Sequence, residues 1–335
     1  MSMVIVNQSQ VPELLPMDEC IQVMEEVLAG LARGECQLPL RHIMWLPDKR
    51  GALGLMPSHW STAGVIGLKA VTFFPGNEGT ELDSHQGAVM LYDADRGTLL
   101  AVIDGTSITA VRTAAVSGVA TKLLARDDCG HLAIIGSGVQ AGVHLQAMLQ
   151  CRSIDRVTVC SKTFDRAECF AESAAKRHAI PVQAVRSCKE AVQDADIICT
   201  TTSARAPVLK GEWLAPGTHI NAVGSSVNFA RELDGEAVRR SRLFVDRRES
   251  ALNEAGDFLL AKKEGLVGDD HIVGEIGDVL TGKVNGRESP MDITLFKSVG
   301  LAVEDLAAAL HVYTKAKETG VGTTVEFGGR RIESD

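Results

Sequence analysis

Proline is scarce in this chain, with 10 in 335 residues against 32 glycines, which argues against a proline-rich linker protein and for tight strand-to-helix turns. Aromatics are few, at 4%, but 45% hydrophobic and 23% charged residues are ordinary proportions for a globular protein. Basic runs are missing: no stretch of Lys or Arg exceeds a pair or triplet, and 34 Lys+Arg against 43 Asp+Glu leave a net charge of −9. Phosphate-backbone binders carry a basic patch, so no nucleic-acid partner is expected. No apolar run approaches the about 18 residues needed to span a bilayer, so no membrane partner is expected either. The opening MSMVIVNQSQVPELLP has neither the basic flank nor the long apolar core of a secretory signal. The eight cysteines (20, 36, 129, 151, 160, 169, 188, 199) form no CxxC pair, and no His stands at metal-ligand spacing. That pattern predicts free thiols in a reducing cytoplasm, most of them acting as small buried hydrophobes, and no metal. Internal repeats and low-complexity segments are absent too.

At about 150 residues per domain, the length predicts two domains. The first third reads as α+β. Residues 2–6 suit a short strand, and 16–33 is an amphipathic helix with Ile21, Met24, Val27, Leu28 and Leu31 on one stripe. Strand-like runs follow at 40–46, 52–57, 65–73, 87–93 and 98–104, dense enough for a mostly antiparallel or mixed sheet. A helix is expected over 107–125, with Ser107 as N-cap and Thr109, Thr113, Ser117 and Thr121 recurring every fourth residue. From 131 onward, strands and helices alternate: strands at 131–136, 156–160, 194–201 and 218–224, helices at about 139–150 and 164–178. Short apolar strands bounded by turns predict a parallel sheet covered on both faces. The stretch 300–315 reads as an amphipathic helix leading back to the first domain.

The sharpest motif is Gly136-Ser137-Gly138-Val139-Gln140-Ala141, which follows an expected strand and opens an expected helix. In a dinucleotide fingerprint the first glycine permits the tight turn and the second lets backbone approach a pyrophosphate; the alanine permits close helix–strand packing. The helix N-terminus then offers unpaired N–H groups to phosphate. The next strand ends in Cys160-Ser161-Lys162-Thr163, with Arg166 one turn on. An NAD site usually places a carboxylate there for the ribose 2′-OH. Hydroxyls and cations instead suit a 2′-phosphate, so NADPH is expected, with NADH possible; otherwise Lys162 and Arg166 are ordinary solvated charges.

Three cations in the first domain stand out. Lys69 lies in the otherwise apolar GVIGLKAVTFF, where an unpaired ammonium is costly to bury, so it reaches a polar cavity or snorkels at a strand end. Arg112, in the first turns of the 107–125 helix, has no local partner and suits either an anionic ligand or a salt bridge. Arg41 is ambiguous by itself. Together the three suit a carboxylate, to which Arg offers a planar two-point match. His85 lies in a loop, a position more often structural than catalytic, and the small residues of KSVG (297–300) suit close approach to a flat ring. No nucleophile elbow supports acyl transfer.

These segments resemble the ornithine cyclodeaminase/mu-crystallin family: LGLMPS (53–58), GLKAVTFFPGN (67–77), SHQG (84–87), DGTSITAVRTAAVSGVATKLLA (104–125), GSGVQA (136–141), INAVGSS (220–226), REL (231–233) and FKSVGLAVEDLAAA (296–309). The resemblance covers nearly the whole chain. It implies an α/β protein: a Rossmann-type, doubly wound parallel-sheet domain over 123–305, and an α+β substrate-binding and dimerisation domain over 1–122 plus 306–335. It also implies a homodimer. Carried over by motif, Arg41, Lys69 and Arg112 bind the substrate carboxylate, and Ser84, His85 and Arg112 lie against the cofactor. Gly136, Ser137, Gly138, Val139 and Gln140 serve the pyrophosphate, Ser161, Lys162 and Thr163 the adenosine phosphate, and Thr202, Val223 and Ser298 the nicotinamide side.

Two departures bear on the reaction. Cyclodeaminases carry an Asp in the loop after INAVG, where this chain has Ser225-Ser226-Val227-Asn228, and a Glu just before Leu-Met-Pro, where it has Gly54-Leu55. A diamino acid's distal ammonium loses both partners, unless Glu232 or Asp234 takes the missing carboxylate's place. The expected function is therefore NADPH-dependent reduction of a cyclic ketimine, Δ1-pyrroline-2-carboxylate or Δ1-piperideine-2-carboxylate. Lys69 would hydrogen-bond the substrate and assist proton transfer. The alternatives are an NAD-using ornithine cyclodeaminase or amino-acid dehydrogenase, and a non-catalytic NADPH-dependent ligand-binding protein.

Overall fold

The computed structural model describes residues 2–77 and 79–329. From the N-terminus the chain forms β1 (Ser2–Val6), the short α1 (Val11–Leu14), α2 (Met17–Ala32), β2 (Cys36–Gln37), β3 (His42–Trp45), β4 (Ala52–Trp60), β5 (Val65–Phe73), β6 (His85–Asp93), β7 (Leu99–Asp104) and α3 (Gly105–Leu124). There follow β8 (His131–Ile135), α4 (Val139–Cys151), β9 (Arg156–Cys160), α5 (Phe164–His178), β10 (Val182–Ala184), α6 (Cys188–Ala191), β11 (Ile197–Thr200), β12 (His219–Ala222), α7 (Gly235–Arg240) and β13 (Arg242–Val245). Next come α8 (Arg248–Glu254), α9 (Gly256–Lys263), β14 (Ile272–Glu275), α10 (Ile276–Leu280) and β15 (Thr294–Lys297), and the chain closes with α11 (Ala302–Thr319) and β16 (Thr323–Glu326). No helix among the described residues is long and apolar enough to cross a membrane.

Two compact units result, Met1–Arg112 with Leu301–Asp335, and Thr113–Gly300. These divisions stand at 112/113 and 300/301, where the sequence suggested 122/123 and 305/306. The first falls inside α3, so no turn residue marks it.

The first unit holds a mixed sheet in the order β16-β1-β7-β6-β5-β4-β2, with β3 also on β4. Only β1 and β7 run parallel; the remaining pairs are antiparallel. One face, with Met56, Val89, Leu91, Ala101 and Ile103 all 5% exposed or less, belongs to the same core as the apolar stripe of α2 (Cys20, Ile21, Met24, Val27, Leu28) and Leu306 and Val312 of α11. Each fully buried Val, Leu, Ile or Met among them stabilises by about 1.5–3 kcal/mol. The approach of α11 to the sheet is close: a Cβ on Gly67 would lie 2.8 Å from Leu306 Cδ1. The other face keeps apolar groups in the open. Ile5 and Ile66 are exposed, Leu68, Met90 and Val102 only half-buried, and the edge strand β3 leaves Ile43, Met44 and Trp45 at least 40% exposed.

In the second unit every strand pair is parallel, in the order β10-β9-β8-β11-β12-β15-β13-β14. Strands β8, β11, β12 and β15 are buried at every residue, as expected when helices cover both faces of a sheet. The chain winds outward from β8 to β9 and β10, then returns to place β11 on the other side of β8. The order therefore reverses at β8/β11, the position at which doubly wound sheets bind ligands.

Helix α3 departs from expectation at its start. It begins at Gly105, and its cap is not Ser107: the Asp104 carboxylate accepts the Ser107 N–H at 2.7 Å. A carboxylate is favoured there because it answers both the orphan N–H groups and the helix dipole. Ser107 Oγ instead donates to the Gln8 carbonyl at 3.3 Å. The polar residues along α3 are satisfied internally. Thr109 donates to Gly105 O at 2.6 Å, Thr121 to Ser117 O at 2.8 Å, and Ser117 meets His144 Nε2 at 3.0 Å.

Candidate functional site

Two clusters carry chemistry, one in each unit. In the first unit, Lys69 comes from the buried face of β5 and is 3% exposed. Its ammonium lies 2.6 Å from Asp305 Oδ2 and 3.4 Å from Thr109 Oγ1. The ammonium is thus buried and paired rather than snorkelling at a strand end. Arg112, 4% exposed, is held in two ion pairs: Nε donates to Asp305 Oδ1 at 2.9 Å and Nη1 to Glu304 Oε2 at 2.7 Å. Arg41, half-buried before β3, is near enough for its charge to act on Lys69. The fold thus brings together three cations that lie 28 and 43 residues apart in sequence.

Burial is the largest influence on Lys69 and lowers its pKa to about 8; Asp305 opposes the fall, and Arg112 and Arg41 add to it. For Asp305 burial pushes upward, but Arg112 and Lys69 outweigh it and hold the carboxyl below its ordinary value. The first turn of α11 reinforces this, since a helix N-terminus favours anions. Glu304 also accepts the Leu301 N–H at 3.1 Å, fastening the start of that helix.

His85 opens β6, its ring centroid 4.8 Å from that of Phe73 and its Nδ1 3.0 Å from Ser84 Oγ. Lost hydration lowers its pKa, Asp83 opposes that, and the charge of Lys69 lowers it further.

Neither Glu304 nor Asp305 was singled out from sequence, where both read as ordinary members of an amphipathic helix. Acids in a first turn are commonplace because they answer the helix dipole, so the sequence carried no signal that these two are buried.

In the second unit the fingerprint sits at the β8/β11 reversal. Gly136 has φ +125°, and a Cβ there would lie 2.6 Å from Thr201 Oγ1, so conformation and space both require glycine. At Gly138 a Cβ would meet nothing within 4 Å, which leaves an open cradle. Helix α4 starts from that residue with no side-chain cap and no acid in its first turn, so its N–H groups face outward unpaired by side chains. Val139 is 63% exposed despite being apolar, and Gln140 Oε1 is buried without a hydrogen-bond partner. Ser137 Oγ and Ser161 Oγ meet at 2.7 Å, joining the loop to the end of β9, where Lys162 and Thr163 are exposed. This donor set, with its open glycine and uncapped helix, fits a dinucleotide pyrophosphate.

Thr202, Val223 and Ser298 follow β11, β12 and β15, neighbours in the parallel sheet, and so share its C-terminal edge. The fully buried Glu232 ties this edge together. It accepts from Thr200 Oγ1 at 2.7 Å, Thr202 N at 2.6 Å, Thr202 Oγ1 at 2.7 Å and Gly224 N at 2.7 Å. Asp234 caps α7 through Ala237 N at 2.8 Å and holds Gly211 N at 2.9 Å. Both carboxylates are committed to backbone and hydroxyl donors of the second unit. Sequence reading also missed Lys297. It is 1% exposed, 2.9 Å from Asp257 Oδ2, and donates to Ser225 O at 2.5 Å. The argument applied to Lys69, that an ammonium in an apolar run is costly to bury unpaired, applies to it equally.

The sequence profile of the ornithine cyclodeaminase/mu-crystallin family matches residues 1–320. Ketimine reductase mu-crystallin of Mus musculus is 42% identical over 296 residues, 88% of this chain and 90% of the relative. The structure of Thermococcus litoralis Δ1-pyrroline-2-carboxylate reductase in complex with NADH and L-proline superposes with a TM-score of 0.94 at 42% identity, covering 96% of this chain and all of that one. An archaeal alanine dehydrogenase dimer with bound NAD gives a TM-score of 0.92 at 34% identity, covering 98% of this chain and all of the other. With matching motifs in both units and a family profile running over 320 residues, the chain belongs to the ornithine cyclodeaminase/mu-crystallin family.

Proposed function

We propose that this protein is an NADPH-dependent reductase of cyclic ketimines, converting Δ1-pyrroline-2-carboxylate or Δ1-piperideine-2-carboxylate to proline or pipecolate. The observation that carries this reading is the cluster of buried Lys69 and Arg112 with the half-buried Arg41, cations suited to one carboxylate. Glu232 and Asp234 are both occupied elsewhere, so neither answers a distal ammonium. A ring imine with a single carboxylate matches that provision and ornithine does not. The likeness to a pyrroline-2-carboxylate reductase and to a ketimine reductase supports the same choice.

The second unit would hold the cofactor, with Gly136, Ser137, Gly138, Val139 and Gln140 around the pyrophosphate and Thr202, Val223 and Ser298 on the nicotinamide side. Ser84, His85 and Arg112 are carried over from the family resemblance as further cofactor-binding residues. When bound, the reduced nicotinamide supplies a hydride. Ser161, Lys162 and Thr163 offer hydroxyls and an exposed ammonium rather than a carboxylate, which supports NADPH over NADH. Arg112 and Arg41 hold the substrate carboxylate and so orient the C=N carbon. Lys69, with its pKa near 8, hydrogen-bonds the ring nitrogen and carries a proton to it. The open apolar face of the first unit's sheet supports a homodimer. Eight free cysteines agree with a reducing cytoplasm.

The decisive assay follows nicotinamide absorbance with purified protein and a panel of cyclic and linear imines, alongside L-ornithine and L-alanine with NAD. NADPH oxidation by a cyclic 2-carboxy imine, with negligible ammonia from ornithine, is expected. Steady ammonia and proline from ornithine, or NAD reduction by alanine in place of imine reduction, would overturn the assignment.

A further inference from the structure

Asp305 pairs with both Lys69 and Arg112. It is 1% exposed, with one oxygen 2.6 Å from the ammonium and the other 2.9 Å from the guanidinium Nε. The three side chains come from β5, α3 and α11, and Asp305 joins the two cations through a single planar group. Its own place is set by the start of α11, which Glu304 fastens through Leu301 N. Two cations in a buried space repel each other, and a shared carboxylate between them offsets that repulsion and fixes their separation.

We propose that Asp305 is a positioning residue for the imine reduction: it sets where the Lys69 ammonium points and how firmly that ammonium holds its proton. The inference rests on the reductase reading and extends it to a residue that would touch neither substrate nor cofactor. The charged and titratable groups facing Lys69 are Asp305 from α11, Arg112 from α3, Arg41 from the segment before β3, and His85 at the start of β6. Of these only Asp305 favours the charged amine, so its removal leaves three influences that all disfavour it: burial, Arg112 and Arg41.

A group that merely bound substrate would behave differently. Neutralising a carboxylate next to two carboxylate-binding cations does not weaken their attraction for a substrate anion. It frees the ammonium to shift and makes it a poorer proton carrier at neutral pH. Asp305→Asn should therefore lower kcat at least about tenfold, because small misplacements of a reacting group are costly, while leaving KM for the imine unchanged or reduced. The basic limb of the kcat/KM profile should move down by about one pH unit, the effect of losing an opposite charge within a few ångströms.

The closing experiment compares Asp305→Asn and Asp305→Glu with wild type, using pH–rate profiles and NMR titration of 13Cε-labelled lysine, with Lys69 assigned through Lys69→Arg. The Glu variant keeps the charge and shifts it by one methylene. It should keep the position of the basic limb yet lose kcat, and it serves if the Asn variant fails to fold. NADPH fluorescence titration checks that each variant is intact. A lower Lys69 midpoint together with the kcat loss supports the proposal. An unmoved pH limb in Asp305→Asn, or a parallel rise in KM with unchanged kcat, overturns it, as does wild-type kcat in Asp305→Glu. If the wild type reduces no imine, the reductase reading fails; the lysine titration still reports whether Asp305 controls Lys69.

Discussion

Replacing Arg112 with alanine tests the buried cluster most directly. In the folded protein its guanidinium answers Glu304 at 2.7 Å and Asp305 at 2.9 Å, and the carboxylate residues are 0% and 1% exposed. Without Arg112, two buried carboxylates face one ammonium. Breaking such a pair by removing one partner costs about 3–5 kcal/mol, because the remaining charge stays buried and unanswered. At about 2–4 °C per kcal/mol, the melting temperature of the first unit should fall by about 6–20 °C. Calorimetry reads that directly, and Trp45 and Trp60 in the first unit, against Trp213 in the second, report which unit melts.

The effect has a defined pH dependence. In the wild type Asp305 is held below its ordinary value, so the stability it contributes is present above the unfolded pKa and is lost as pH falls through the folded one. Without Arg112 the upward push of burial prevails. The folded carboxyl then titrates above the unfolded one, and its destabilising effect is relieved as pH falls through that raised value. The deficit of Arg112→Ala should thus shrink toward pH 4, and adding Asp305→Asn should recover part of it at pH 7, since residues in one ion-pair network are not additive. A variant melting within about 2 °C of wild type at pH 7, or a deficit that grows on acidification, would refute the reasoning.

Lys69 titrates near 8, so the imine-reduction rate should decline as pH rises through 8; a rate flat to pH 10 would remove Lys69 as proton carrier. Because that value lies below the ordinary 10.5, the cost of burying charged Lys69 is fully present below 8 and is relieved as pH climbs above it, which denaturation midpoints at pH 7.5 and 9.5 would show. Gly136→Ala forces a Cβ to within 2.6 Å of Thr201 Oγ1 at positive φ, so a loss of about 1–3 kcal/mol and of NADPH binding is expected; fluorescence titration giving wild-type affinity would contradict the cradle. Lys162→Asp should narrow or reverse a preference for NADPH, and equal use of both cofactors in wild type and variant would remove Lys162 from phosphate recognition.

Local chemistry dictated much of this molecule in advance. The strand expected at 65–73 is β5 with the same bounds, most of the 16–33 stripe becomes the buried side of α2, and the GSGVQA turn lies between a buried strand and an uncapped helix. Such features depend on neighbours within one turn or one strand, so composition and spacing suffice to reveal them. Strands β13, β14 and β15 went unread, because four-residue apolar segments carry too little periodicity to be told from buried helix or loop. The cap of α3 was misplaced by the same limit, since Ser107 and Asp104 both suit the position and only the backbone path selects the carboxylate. The cluster itself was half legible. Lys69 and Arg112 announce themselves as cations in apolar surroundings, but the partners that decide their protonation and aim are Asp305 and Glu304, more than 190 residues distant from Arg112. Pairing over that separation is set by where α11 packs against the sheet, as at Gly67 and Leu306, and that packing is a property of the assembled core rather than of any segment.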